Sequence, residues 1–188
     1  MSTLVLPDPS LVVLVGAAGA GKSTLAARLF GPDEILSSDA LRAAVSGDEA
    51  DQRATGVAFR ILHRSLQRRL LDGLTTVVDA TNARPEDRRP LLSRARVTRV
   101  PAVAIVLDLP AGDIQVQNAG RTGRVVDPAV VERHLAAIRR TLDTGGLGGE
   151  GFDHVVLLTS GHEVAALRIE RQRPARPRGP DLQPDRRR

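Results

Sequence analysis

The sequence has no cysteine, no tryptophan and no tyrosine, and among its 27 basic residues a single lysine. Without cysteine there are no disulfides and no thiolate metal sites. Only Phe30, Phe59 and Phe152 are aromatic, which leaves little for base stacking. The four histidines, at 63, 134, 154 and 162, lack ligand spacing and read as structural or exposed. No apolar run approaches the roughly 20 residues that span a bilayer. The opening MSTLVLPDPS lacks the charged and apolar regions of a signal peptide, so a cytoplasmic protein is expected.

At 188 residues and 41% hydrophobic content, the chain suffices for one well-buried domain. The net charge of +5 is unevenly placed: residues 170–188 hold seven arginines against Glu170, Asp181 and Asp185, or +4, which leaves +1 for residues 1–169. Residues 172–188, with four prolines and almost nothing apolar, are expected to form a disordered basic tail. The domain proper is expected to span 1–171.

The sole lysine, Lys22, stands in the stretch GAAGAGKST, from Gly16 to Thr24. This fits the P-loop pattern, and it follows the apolar run Leu11 to Val15, as a buried strand feeding the loop should. Gly16, Gly19 and Gly21 let the backbone around Ala20 turn tightly, so that N–H groups at a helix start can point at phosphate oxygens. Lys22 is expected to reach the β- and γ-phosphates of ATP or another nucleoside triphosphate, Ser23 to ligate Mg²⁺, and Thr24 to complete the cradle. A compact ammonium in an otherwise arginine-only chain suits a point contact with phosphate.

Along the chain, strands are expected at 11–15, 34–37, 75–78, 101–107 and 155–158, alternating with helices. The expected fold is therefore α/β: a P-loop kinase fold with a doubly wound parallel sheet of five strands, helices on both faces and a helical lid over about 110–142. The helix from Asp51 to Leu71 is expected to bury Val57, Ile61, Leu62, Leu66, Leu70 and Leu71. Pro90 is expected to kink the helix after Pro85 or delay its start. A last helix is expected over His162 to Ile169, and one from Pro128 to Leu142 should bury Val131, Leu135, Ile138 and Leu142.

Phosphoryl transfer needs an acceptor in line, a base for its proton and positive charge around the transferred group. Asp39, in Ser37-Ser38-Asp39-Ala40-Leu41-Arg42, follows the second strand beside the P-loop and is the candidate base, its other role being a helix N-cap. Arg42, one turn on, faces the same way; it would hold an anionic part of the acceptor, or else pair with Asp39. Arg121 and Arg124, in the Gly-rich segment NAGRTGR, are candidate arginine fingers supplied in cis. Asp79, at a strand end, is placed for an outer-shell Mg²⁺ contact or a structural carboxylate.

With GAAGAGKST, ILSSDALR, the Asp48–Gln52 region, TVVDATN, VAIVLDLP, NAGRTGR and EGFDHV in order, the chain from Leu11 to Arg171 resembles the 5′-OH kinase domain of bacterial polynucleotide kinase-phosphatases of the RNA end-healing type. The resemblance implies that Lys22 and Ser23 handle phosphates and Mg²⁺, that Asp39 activates a 5′-OH, and that Arg42 grips the neighbouring phosphate. It also implies that Arg121 and Arg124 reach the ATP phosphates from the lid. The acceptor would be the 5′-OH end of RNA or DNA. Relatives of this type continue into phosphatase and ligase-like domains, so the chain is expected to be either a stand-alone kinase working with separate phosphatase and ligase partners or an isolated domain. Two other readings use the same residues: a small-molecule kinase acting on a sugar or antibiotic, and a nucleotide-binding regulatory or toxin-like module.

Overall fold

The computed structural model describes residues 3–47, 55–120 and 125–173. The expected apolar runs form the five parallel strands of one sheet. They are β2 (Leu11–Gly16), β3 (Ile35–Ser37), β4 (Thr76–Asp79), β5 (Ala102–Leu107) and β6 (His154–Leu158), in the order β3-β4-β2-β5-β6. Every residue of β2, β4 and β5 is buried, as expected of strands covered on both faces. Alternate residues serve opposite cores. Val12, Leu14, Val103 and Ile105 join Leu25 and Ala26 of α1 (Lys22–Leu29) and Ile114 of α5 (Ala111–Ala119). Leu11, Val13, Val15, Ala104 and Val106 join Leu62, Leu66 and Leu70 of α3 (Thr55–Leu71) and Leu91, Leu92 and Ala95 of α4 (Pro85–Thr98). The helix α6 (Pro128–Asp143) contributes Val131 and Leu135 to the first core and Ile138 to the second.

The chain leaves β2 for β3 on one side and later crosses to β5 on the other. The carboxyl end of β2 thus lies at a topological switch point, where open α/β sheets bind ligands.

Several details differ from expectation. On α3, Val57, Ile61 and Leu71 face solvent, and Ala58 takes the inward position, so the buried stripe is Ala58, Leu62, Leu66 and Leu70. The expected start of that helix, 51–54, lies outside the described residues, as does Asp48–Gln52. On α6, Leu142 is half-buried while Thr141 is buried. The helix α4 begins at Pro85 and runs through Pro90, which removes one ladder donor without ending the helix.

The expected last helix divides into α7 (Gly161–Ala166) and a strand β7 (Arg168–Gln172). β7 pairs in parallel with β1 (Thr3–Pro7), from Thr3 opposite Arg168 to Pro7 opposite Gln172, as a separate two-stranded sheet. Leu4 and Leu6 of β1 point into the first core. The expected tail lies outside the described residues from 174 onward.

Candidate active site

At the carboxyl end of β2 the backbone turns through Gly16 to Gly21 into α1. Gly19 and Gly21 have φ of +85° and +84°, a region where a side chain is strained. Gly19 is constrained twice, because a Cβ there would sit 2.8 Å from Asn118 Cβ and 2.9 Å from the Ile114 carbonyl oxygen of α5. Lys22 is buried, and its Nζ donates to the Ala17 carbonyl oxygen at 2.8 Å, which lays the ammonium across the loop's concave face. The loop is also tied to the end of β4: Gly16 N–H donates to the Thr81 carbonyl, and Asn82 Nδ2 donates to the Leu14 carbonyl at 2.8 Å.

Asn82, itself at φ +46°, is fixed in turn by Arg88. That guanidinium, fully buried on α4, donates from Nη1 to the Asn82 carbonyl at 2.7 Å and from Nη2 to Thr141 Oγ1 of α6 at 3.1 Å. Its Nε and Nη2 meet the two carboxylate oxygens of Glu150, in the short 3₁₀ turn Leu147–Glu150. Sequence reading passes over this arginine, because a single charged residue in an arginine-rich helix carries no signal of burial.

Across the loop, α2 (Ser38–Ser46) opens with Ser37 as its N-cap, the side chain accepting from Ala40 N–H at 3.3 Å. Asp39 is therefore not the cap, as one alternative had it; it lies in the first helical turn with its carboxylate half exposed. Arg42, expected on the same face, is buried and donates from Nη2 to Asp39 Oδ1.

These elements enclose a cleft of about 470 Å³. Of the expected site residues, Gly19, Gly21, Lys22, Ser23, Thr24, Asp39, Arg42 and Asp79 line it. Gly16 and Ala20 lie behind its wall: Gly16 ends the fully buried β2, and the Ala20 side chain is buried in the first core. Arg121 and Arg124 lie outside the described residues. The ends of their segment are pinned, since Asn118 Nδ2 donates to the Val126 carbonyl at 2.6 Å and Val126 N–H donates to Asn118 Oδ1 at 3.1 Å. Among the side chains not expected there, Phe59 of α3, Asp87 of α4 and His134 of α6 also line the cleft. His134 is half-buried at the cleft wall. Burial first, then the positive charges of Lys22 and Arg84, hold its imidazole below the usual histidine range, while Asp87 opposes them.

The site thus sets a glycine-rich loop with a buried lysine opposite a carboxylate paired with a buried arginine. A family model described as an AAA domain matches residues 11–144. The chain belongs to this AAA domain family. It is a P-loop kinase-like member, with the parallel five-stranded sheet expected of such a fold. A comparison with curated proteins gives no match. By structure the chain is similar to a chain of the Pnkp1/Rnl/Hen1 RNA repair complex, with TM-score 0.58 and 23% identity over 72% of this chain. It spans only 45% of that longer chain. It is similar also to a sugar kinase from Janibacter sp. HTCC2649, with TM-score 0.54 and 19% identity over 80% of this chain and 85% of the other. A third similar structure belongs to the PezAT chromosomal toxin-antitoxin system of Streptococcus pneumoniae, with TM-score 0.56 and 12% identity over 81% of this chain and 67% of the other. At these identities the likeness is one of fold. Among the described residues no helix is long and apolar enough to cross a membrane.

Proposed function

We propose that this chain is a polynucleotide 5′-hydroxyl kinase, moving the γ-phosphate of ATP to the 5′-OH end of RNA or DNA. The observation that carries the reading is the Asp39–Arg42 pair on one face of α2, at the wall of the P-loop cleft, with the guanidinium buried and the carboxylate half exposed. A base for a hydroxyl proton and a fixed cation for a neighbouring phosphate are what a nucleotide end presents a need for, one helical turn apart.

In the proposed reaction the acceptor oxygen forms a bond to the γ-phosphorus as the bond from that phosphorus to the β,γ-bridging oxygen breaks. Asp39 takes the hydroxyl proton, and ADP leaves with the bridging electron pair. Lys22, turned from the Ala17 carbonyl to the phosphates, offsets their charge, and Arg121 and Arg124 would close on them from the segment between α5 and α6. Ser23, whose exposed hydroxyl lines the cleft, and Asp79, buried across it, fit a Mg²⁺ held mostly by phosphates and water. Bound there, Mg²⁺ would neutralise phosphate charge.

A second reading, a small-molecule kinase, is favoured by the near full-length likeness to the Janibacter sugar kinase. The two separate in one assay, with labelled ATP against 5′-OH oligonucleotides, a 3′-phosphorylated nucleoside, the bare nucleoside and a panel of sugars. The proposal expects the oligonucleotide and the 3′-phosphorylated nucleoside to be labelled at the 5′-OH, the bare nucleoside about 10- to 150-fold less well, and Arg42→Ala to erase much of that difference. Preferential labelling of a sugar would replace the polynucleotide reading with the small-molecule one.

A further inference from the structure

His134 occupies an unusual place. It projects from α6 into the cleft that Lys22 lines, one turn beyond Val130, which lines the same wall. Its Nδ1 is fully enclosed and has no hydrogen-bond partner among the described residues, whereas Nε2 is not enclosed in this way. An enclosed ring nitrogen without a partner is tolerated as a bare acceptor more readily than as an orphan N–H. The ring proton therefore belongs on Nε2. His63 of α3 has the same buried, unpartnered Nδ1 but does not line the cleft, so of the two only His134 stands where a molecule entering the cleft meets its ring.

We propose that His134 is a phosphate contact delivered by α6, donating from Nε2 to the terminal phosphate that Lys22 approaches. The inference rests on the nucleotide-binding reading of the cleft and is independent of the acceptor's identity. It gives α6 a direct part in holding the nucleotide, beyond the arginines expected before it.

A consequence separates this role from a packing one. The charged groups facing the ring are Lys22 from α1, Arg84 and Asp87 at the start of α4, and Arg133 beside it on α6. Burial first, and then these cations over Asp87, hold the imidazole below the usual histidine range, which favours the neutral ring near pH 7 when the cleft holds no anion. A phosphate placed against Nε2 opposes those cations and favours the imidazolium, so binding takes up a proton as the pH falls from 8 towards 6. The bound pKa exceeds the free one, and affinity for the anion consequently rises over that interval.

The test is calorimetric titration of the full chain with the β,γ-imido analogue of ATP at saturating Mg²⁺, at pH 6 and pH 8, in buffers of different ionisation enthalpy. The wild type should bind roughly threefold to tenfold more tightly at pH 6, with net proton uptake, since each unit of pKa shift corresponds to a factor of ten. His134→Gln keeps an N–H donor but cannot titrate; it should hold its pH 8 affinity within about twofold and lose the wild type's extra uptake. His134→Leu removes the donor as well and should bind about tenfold more weakly at pH 8. A urea denaturation midpoint for each variant shows that it is folded, and the Gln variant decides the matter if the Leu variant is not. If both variants matched the wild type in affinity and proton uptake, His134 would be a packing residue and the inference overturned. If the wild type bound no nucleotide, the nucleotide-binding reading of the cleft would fall first, and this inference with it.

Discussion

Replacing Arg88 by methionine tests whether the cleft floor is held by one buried cation. The substitution keeps an unbranched stem of similar length and removes five N–H donors. The Asn82 carbonyl and Thr141 Oγ1 then lose a donor each, and Glu150, mostly buried, loses its counter-charge. Breaking a buried pair from one side costs about 3 to 5 kcal/mol, because an uncompensated charge stays behind. A domain of this size loses about 2 to 4 °C of Tm per kcal/mol, so a fall of roughly 6 to 20 °C is expected in a thermal melt. Much of that should return in Arg88→Met combined with Glu150→Leu, since apolar replacement of both partners is often near neutral. The Asn82 and Thr141 contacts stay lost in the double variant, so recovery should be incomplete. Denaturant titrations of the wild type, both single variants and the double variant yield the coupling energy directly. A loss below about 1 kcal/mol for Arg88→Met, or a double variant no better than the worse single one, would refute this account of how Asn82 and the P-loop are anchored.

Four other outcomes are expected. Asp39→Asn should lower turnover roughly 10²- to 10⁴-fold while leaving nucleotide affinity nearly unchanged, measured by single-turnover kinetics and nucleotide titration; retained turnover would place the base elsewhere. Arg121→Ala or Arg124→Ala should lower the rate or raise the KM for ATP far more than Arg139→Ala, whose Nε lies 3.7 Å from Asp108 Oδ1, away from the cleft lining; equal small effects at all three would refute the lid reading. Gly19→Ala should destabilise more than Gly73→Ala in urea: both have positive φ, about 1 to 2 kcal/mol of strain, but only Gly19 meets α5 below 3 Å. Arg171 donates from Nη1 and Nη2 to the two Glu34 carboxylate oxygens at 2.7 Å each, and these bonds hold the Glu34 carboxyl below the usual range. A depressed folded pKa gives stability that is present above the unfolded value and lost as pH falls through the folded one, so Glu34→Gln should flatten the acid side of a stability-pH profile.

How much was legible in the sequence depended on how local the cause was. The P-loop is nine consecutive residues after an apolar run, and its glycines, lysine and helix start are all near neighbours in the chain. Asp39 and Arg42 lie one turn apart on one helix, so their shared face could be read from spacing, although the cap fell on Ser37. The strands of the main sheet are buried on both sides and read as continuous apolar runs. The β1–β7 pair was missed because its partners lie some 165 positions apart and Arg168–Gln172 carries almost no apolar pattern. Val57 and Ile61 misled for a different reason: helical periodicity marks a stripe but not its centre, and Ala58 sits where the stripe meets the sheet. Arg88 and His134 take their roles from what α4 and α6 pack against, which no spacing along either helix records.

The β1–β7 pairing also determines how the fold bears a mechanical load. The two strands run parallel, one from Thr3 to Pro7 and the other from Arg168 to Gln172. Tension applied at Thr3 and at Gln172 therefore pulls along the strands in opposite senses. All the hydrogen bonds between them are loaded together, in shear, and cannot be peeled one at a time from an end. Leu4 and Leu6 would have to leave the first core in the same event. A protein unfoldase or an optical trap gripping these two segments would meet its main resistance at the outset, before the P-loop sheet bore any force.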